Sequence, residues 1–177
     1  MRLVILDRDG VINEESDAYI KTPGEWIPIP GSLDAIGRLT QAGFTVVVAS
    51  NQSGLGRGLF DQKALDAITA RMQAELAKAG GRLDGIYYCP HKPEDHCDCR
   101  KPKTGLFRQI AAHYRVDMQG VPAIGDSARD LVAAESAGAR PILVKTGRGL
   151  ATLKQMPGAE VYADLAAAAD HLIGETR

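Results

Sequence analysis

The chain has 177 residues, 45% of them hydrophobic and 24% charged, with 21 basic against 22 acidic side chains for a formal charge of -1. That length favours one domain over residues 1–177 with a substantial core, and the composition excludes a disordered chain. The near-neutral balance gives no electrostatic basis for binding nucleic acid or an anionic membrane, and no apolar run approaches the roughly 20 residues needed to span a bilayer.

The N-terminus lacks the charged-then-apolar pattern of an export signal, so a cytoplasmic protein is expected. A monomer is expected too, for want of a long exposed apolar stripe. The run Leu3–Leu6 predicts a buried strand. Residues 10–30 follow, with Pro23, Gly24, Pro28 and Pro30 interrupting any long helix, and suit a small flap over a site. A helix is predicted from Ser32 to Ala42, with Ser32 as N-cap and Gly43 as its stop. Residues 44–49 predict a strand, 61–79 a long amphipathic helix closed by Gly80-Gly81, and 85–88 a third strand. A helix over 105–114, a strand over 121–124 and a helix over 128–137 come next. Short strands over 141–144 and 160–162 and a closing helix over 164–173 complete the series. Strands alternating with helices predict a three-layer α/β fold, a central parallel sheet with helices on both faces. No insertion is long enough to form a cap domain.

The chemistry begins at Asp7-Arg8-Asp9-Gly10, directly after the first strand. Two carboxylates one residue apart repel, and a bound cation or a shared proton relieves them. Strand carboxyl ends are where ligands bind in open α/β sheets. Three further segments suit the same site: Ser50-Asn51-Gln52-Ser53, whose hydroxyls and amides can hold phosphate oxygens, Arg100-Lys101, which supplies positive charge, and Gly125-Asp126-Ser127, which adds a carboxylate for metal. Each has a plainer alternative, a surface turn, a solvated basic pair or a helix cap. A calcium loop is excluded because its glycine falls too early. Together the four segments describe a phosphoryl-transfer site.

All three cysteines fall between Cys89 and Cys99. Cys89, His91, Cys97 and Cys99 fit a closed tetrahedral zinc site of structural type. Three inert buried thiols are the alternative, disfavoured by the polar neighbours Lys92, Glu94, Asp95 and His96. His96 competes with His91 as ligand, although its place beside Cys97 is awkward. Zinc would fold the loop that delivers Arg100 and Lys101.

The four segments resemble the signature of the haloacid dehalogenase (HAD) superfamily of phosphatases: D-x-D-G after the first strand, Ser or Thr after the second, a later Lys or Arg, and an acidic G-D motif near the fourth strand. The resemblance implies a Rossmann-like HAD fold over nearly the whole chain. It implies Asp7 as nucleophile, Asp9 as general acid and base, and Ser50 and Lys101 on the phosphoryl oxygens. It also implies magnesium held by Asp7, the Asp9 backbone carbonyl and Asp126. Cys-Pro-His followed by Cys-Asp-Cys-Arg-Lys-Pro resembles the subgroup of heptose bisphosphate 7-phosphatases and histidinol-phosphate phosphatases, and the stretches Asn51–Gly58 and Leu83–Tyr88 look more like the heptose side. The implied substrate is a sugar bisphosphate that keeps its C1 phosphate, on the route to lipopolysaccharide core heptose. Arg100 is the candidate for the retained phosphate, and Glu15, Ser16, Asp17, Ala18 and Tyr19 for sugar contacts. Ser50 stands where heptose enzymes often carry Thr, and Ser127 where some relatives carry Lys. A non-catalytic zinc-containing interaction module is the alternative of another class.

Overall fold

A computed structural model describes all 177 residues. Its core is a six-stranded parallel sheet in the order β3-β2-β1-β4-β5-β6, with β1 Arg2–Leu6, β2 Phe44–Asn51, β3 Gly85–Cys89, β4 Pro122–Gly125, β5 Arg140–Val144 and β6 Val161–Tyr162. The helices are α1 Ser32–Gln41, α2 Ser53–Gly56, α3 Gln62–Lys78, α4 Gly105–Tyr114, α5 Ala128–Ser136, α6 Gly149–Gln155 and α7 Leu165–Gly174. No helix is long and apolar enough to cross a membrane.

Alternation along the strands builds a core on each face of the sheet. Val4 and Leu6 of β1 join Val46 and Val48 of β2 in a cluster roofed by Ile36 and Leu39 of α1, Ile68 and Met72 of α3, and Leu165 and Leu172 of α7. Leu3, Ile5, Val47 and Ala49 point the other way, onto Leu106, Phe107 and Ile110 of α4 and Ala133 and Ala134 of α5. The predicted three-layer α/β fold is therefore the one observed, and no cap domain is present.

The differences are local and have identifiable causes. Ser32 is not the N-cap of α1. Gly31 holds that place with φ +86°, and the Ser32 hydroxyl instead donates to the carbonyl of Val11 at 2.8 Å. Asp61 does cap α3, accepting from the Ala64 N–H at 2.8 Å. β2 runs two residues beyond the predicted strand, because Ser50 and Asn51 keep pairing with Tyr88 and Cys89 of β3. Helices α2 and α6 were not predicted, each being too short for a readable period. Residues 10–30 hold only a turn of 3₁₀ helix at Pro23–Glu25 and isolated bridges joining Asn13 to Asp9 and Pro28. Val11, Ile12, Ile20 and Trp26 of that segment are buried in the first core cluster, anchoring its base to the sheet.

Candidate active site

Strand order reverses between β1 and β4, and chains leaving their carboxyl ends part there, opening the crevice where α/β sheets bind ligands. A cleft of about 280 Å³ occupies it. Asp7 follows β1, Ser50 is the next-to-last residue of β2 and Asp126 follows β4, so three elements far apart in sequence deliver their polar groups to one end of the sheet.

Lys101 lies at the floor, 3% exposed. Its ammonium donates to the Ala49 carbonyl at 2.7 Å and to Asp130 Oδ1 at 2.6 Å, and lies 3.2 Å from Asp7 Oδ1. Burial disfavours its charge, but Asp130 and Asp7 outweigh that and hold its pKa above the ordinary lysine value. Asp130 itself is held charged below the usual carboxylate range, because Lys101 and its hydrogen bonds outweigh burial. Its other oxygen accepts from the Asp126 N–H, the Ser127 N–H and the Ser127 hydroxyl, at 3.1, 3.1 and 2.9 Å.

Asp7 and Asp126 are in the opposite condition. Burial, then the charge of Asp130, pushes Asp7 up to about 7; burial, then the charge of Asp7, pushes Asp126 up to about 8. Carboxyl oxygens of Asp7, Asp126 and Asp130 lie within 4.8 Å of one another. Excess negative charge thus collects where a cation can relieve it, on Asp7 and Asp126, since the oxygens of Asp130 are taken up by Lys101 and by the loop backbone.

Two glycine-bearing loops close on Asp126. A Cβ on Gly10, at φ +85°, would lie 2.0 Å from Asp126 Oδ2, and one on Gly147, at φ +56°, would lie 2.3 Å from the same oxygen. The loop after β5 and helix α6 grip the site: Thr146 donates to the Gly10 carbonyl at 2.7 Å, the Arg148 N–H donates to Asp126 Oδ2 at 2.9 Å, and Thr152 of α6 donates to the Asp126 carbonyl at 2.8 Å. The Arg148 side chain reaches across to Glu15 at 2.5 Å, tying this loop to the segment after β1.

Asp7, Asp9, Asn51, Gln52, Ser53, Ser50, Arg100, Lys101 and Asp126 all line the cleft, as do Glu15, Ser16, Asp17 and Tyr19. Ala18 does not; its N–H bonds to the Ser16 hydroxyl. The Asn51 amide is already engaged, donating to the Lys101 carbonyl at 3.1 Å and accepting the Lys101 N–H at 3.0 Å. Gln52 donates to the Ser50 hydroxyl at 3.0 Å. Sequence reasoning missed Asp130, Arg57, Arg129 and Arg148. Asp130 had a signal, since a carboxylate four residues after Asp126 falls on the first turn of the next helix and turns back toward it. The arginines had none, being scattered over two loops and the start of α5. Burial and the charge of Arg129, with a smaller contribution from Arg57, push Arg100 below its usual value, and all three arginines line the cleft.

The cysteine loop joins β3 to α4. Cys89 Sγ lies 3.6 Å from Cys97 Sγ and 2.8 Å from Cys99 Sγ, and His91 Nδ1 lies 3.6 Å from Cys89 Sγ and 3.3 Å from Cys99 Sγ. Tetrahedral zinc with ligands at 2.0–2.3 Å spaces them by about 3.5–3.8 Å; three of these separations come near that range, the Cys89–Cys99 pair is closer, and the four groups form a cluster that could hold zinc. His96, in a left-handed turn, is not part of it. Cys99 directly precedes Arg100 and Lys101, so the cluster anchors the chain that carries them.

A HAD-hydrolase-like family model matches residues 98–168. The D-glycero-beta-D-manno-heptose-1,7-bisphosphate 7-phosphatase of Bordetella bronchiseptica is 58% identical over 99% of both chains, and that of Pseudomonas aeruginosa 56% over 97% of both. A crystal structure of the Bordetella bronchiseptica D,D-heptose 1,7-bisphosphate phosphatase, complexed with magnesium and phosphate, superposes with a TM-score of 0.97, covering 99% of each chain at 57% identity. The enzyme from Burkholderia thailandensis does so with a TM-score of 0.78 at 41% identity, over 98% of this chain and 99% of that one. With its strand-end carboxylates, buried lysine and Cys/His cluster, the chain belongs to the D-glycero-β-D-manno-heptose-1,7-bisphosphate 7-phosphatase family of the HAD superfamily.

Proposed function

We propose that this protein is a magnesium-dependent phosphatase that removes the C7 phosphate of D-glycero-D-manno-heptose 1,7-bisphosphate and leaves the C1 phosphate in place. The observation that carries this reading is that Arg57, Arg100 and Arg129 line the same cleft as the carboxylates and Lys101, which gives it positive charge for a second phosphate. A monophosphate such as histidinol phosphate has no use for that added charge. Likeness over the full length to phosphatases of this name supports the same reading.

The carboxylates of Asp7 and Asp126 fit a divalent cation, because both are held above their ordinary pKa by burial and by neighbouring carboxylates, Asp130 and Asp9 at Asp7, Asp7 and Asp130 at Asp126. Asp7, Asp126 and the Asp9 carbonyl would hold it. Magnesium there neutralises the charge that otherwise keeps an anionic nucleophile from an anionic phosphoryl group.

Asp7 attacks phosphorus, forming an aspartyl-phosphate as the bond to the C7 oxygen breaks. Asp9 gives its proton to that departing oxygen, then takes one from the water that attacks the intermediate, releasing phosphate and restoring Asp7. Lys101 and Ser50 offset the charge on the phosphoryl oxygens. Asp130 and Asn51 position Lys101 through its ammonium and its backbone respectively. Zinc on Cys89, His91, Cys97 and Cys99 holds the loop in place, and thiols kept as metal ligands agree with a reducing cytoplasm.

Arg100→Ala tests the reading. It should raise KM for the bisphosphate about tenfold or more while changing KM for a heptose 7-monophosphate little. Equal effects on both would remove Arg100 from the second phosphate and move regioselectivity to residues 15–19.

A further inference from the structure

Arg8 sits between the two reactive carboxylates in sequence, yet it is fully buried and does not line the cleft. Its Nε–H donates to Asp9 Oδ1 at 2.8 Å, and Asn13 Nδ2 donates to the same oxygen at 2.9 Å. The guanidinium carbon Cζ lies 5.7 Å from the ring centroid of Tyr88, whose hydroxyl is hydrogen-bonded with Thr69 Oγ1 at 3.0 Å. Nη1 and Nη2 are buried and have no hydrogen-bond partner.

Stability does not account for this arrangement. Against burial, Asp9 and Tyr88 hold the Arg8 guanidinium charged, yet its two unpartnered nitrogens still carry a desolvation cost. Asp9, its ion-pair partner, has a side chain 29% exposed, so water can solvate that charge without help from a buried cation. A methionine would fill a similar space at no electrostatic cost.

The geometry at Asp9 does account for it. Two donors converge on Oδ1 and fix the plane of the carboxyl group. Oδ2 receives only a long contact, 3.4 Å, from Gln52 Nε2. Oδ2 is therefore the oxygen left to hold and hand over a proton. We propose that Arg8 is a positioning residue for proton transfer: with Asn13 it grips Oδ1, stops the carboxyl from rotating, and reserves Oδ2 for the reacting oxygens. This rests on the reading of Asp9 as general acid and base. In the first half-reaction the proton on Oδ2 passes to the C7 oxygen as its bond to phosphorus breaks and the Asp7–phosphorus bond forms. In the second, water transfers a proton to Oδ2 as its oxygen bonds to phosphorus and Asp7 departs. A carboxyl free to turn would meet neither oxygen at a fixed distance.

The test exploits the leaving group. A sugar alkoxide needs a proton to depart, whereas the phenolate of p-nitrophenyl phosphate does not. Release of each leaving group is measured in a single turnover for Arg8→Met, Arg8→Gln, Asn13→Ala and Asp9→Asn, with folding checked by circular dichroism. Arg8→Met should lose about 10- to 100-fold on heptose bisphosphate, short of the roughly 100- to 10,000-fold of a lost general acid, and less than about threefold on p-nitrophenyl phosphate. Arg8→Gln, which keeps an N–H donor near the position of Nε, should recover most of that loss. Asn13→Ala should show the same asymmetry, smaller. Should Arg8→Met not fold, Arg8→Gln and Asn13→Ala decide the matter, and wild-type ratios of the two rates in Asn13→Ala would overturn the grip on Oδ1. Equal losses on both substrates in Arg8→Met, beside a clear asymmetry in Asp9→Asn, overturn the role of Arg8 and leave Asp9 as acid and base. No asymmetry in Asp9→Asn overturns the acid and base reading, and the proposal with it.

Discussion

Removing magnesium should make the protein lose stability as pH rises, and the size of the effect follows from two carboxyl groups. Asp7 is raised from 3.8 to about 7 and Asp126 from 3.8 to about 8, in both cases by burial first and neighbouring carboxylates next. A carboxyl whose folded pKa lies above its unfolded value binds its proton more tightly when folded. Its contribution to stability is complete below about pH 4 and is gone above about pH 8. At about 1.4 kcal/mol per pH unit, ionising Asp7 alone costs the fold about 4 kcal/mol. Asp126 adds to this, but its shift comes partly from the charge of Asp7, so the total stays below the sum. For a chain of this size about 4 kcal/mol corresponds to about 10 °C in melting temperature. The assay is thermal unfolding at pH 5 and pH 8.5, with and without added magnesium. Free magnesium is removed by dialysis rather than by a strong chelator, which would also strip the thiolate cluster. Magnesium should raise the midpoint by about 10 °C at pH 8.5 and by far less at pH 5, where protons already neutralise the pair. Asp126→Asn should melt above the wild type at pH 8.5 without magnesium. The same magnesium shift at both pH values would refute the reasoning.

Asp7→Asn keeps the shape but removes the attacking charge, so steady-state turnover should drop by three orders of magnitude or more while circular dichroism stays unchanged. Asp130→Asn takes away the charge that faces buried Lys101, and chemical denaturation should show a loss of about 3–5 kcal/mol together with a fall in kcat. Cys99→Ser should bring metal content from about one zinc per chain to well below half by atomic emission, and lower kcat/KM because Arg100 and Lys101 follow directly in the chain.

Sequence pattern carried the fold as far as hydrophobic period carries it. The runs at Leu3–Leu6 and Val46–Ala49 are apolar on both faces because helices cover both, and that reads directly as buried parallel strands. The ends of elements were less legible, since Ser50 and Asn51 stay in β2 through hydrogen bonds to β3, which local composition does not encode. The candidate site residues were legible where they cluster, as in Asp7-Arg8-Asp9 and Cys97-Asp98-Cys99. Asp130 had only a local signal, its place one turn after Asp126, while its ion pair with Lys101 and the clamp formed by Thr146 and Arg148 were not legible, because each meets a partner across the fold. Arg8 was in full view, and only its burial and its two unpartnered nitrogens distinguish it from a surface arginine beside an aspartate.

The walls of the cleft are almost wholly polar, with Tyr19 the one aromatic side chain among carboxylates, hydroxyls, amides and guanidinium groups. For inhibitor design this is decisive. Small molecules generally gain affinity by burying apolar surface in apolar pockets, and this cleft offers little to bury. A competitive ligand would have to bind through charge, as a multiply anionic mimic of two phosphates, and such a compound crosses membranes poorly. The more tractable chemistry lies with the thiolate cluster, where a zinc-displacing agent could disable Lys101 without entering the cleft.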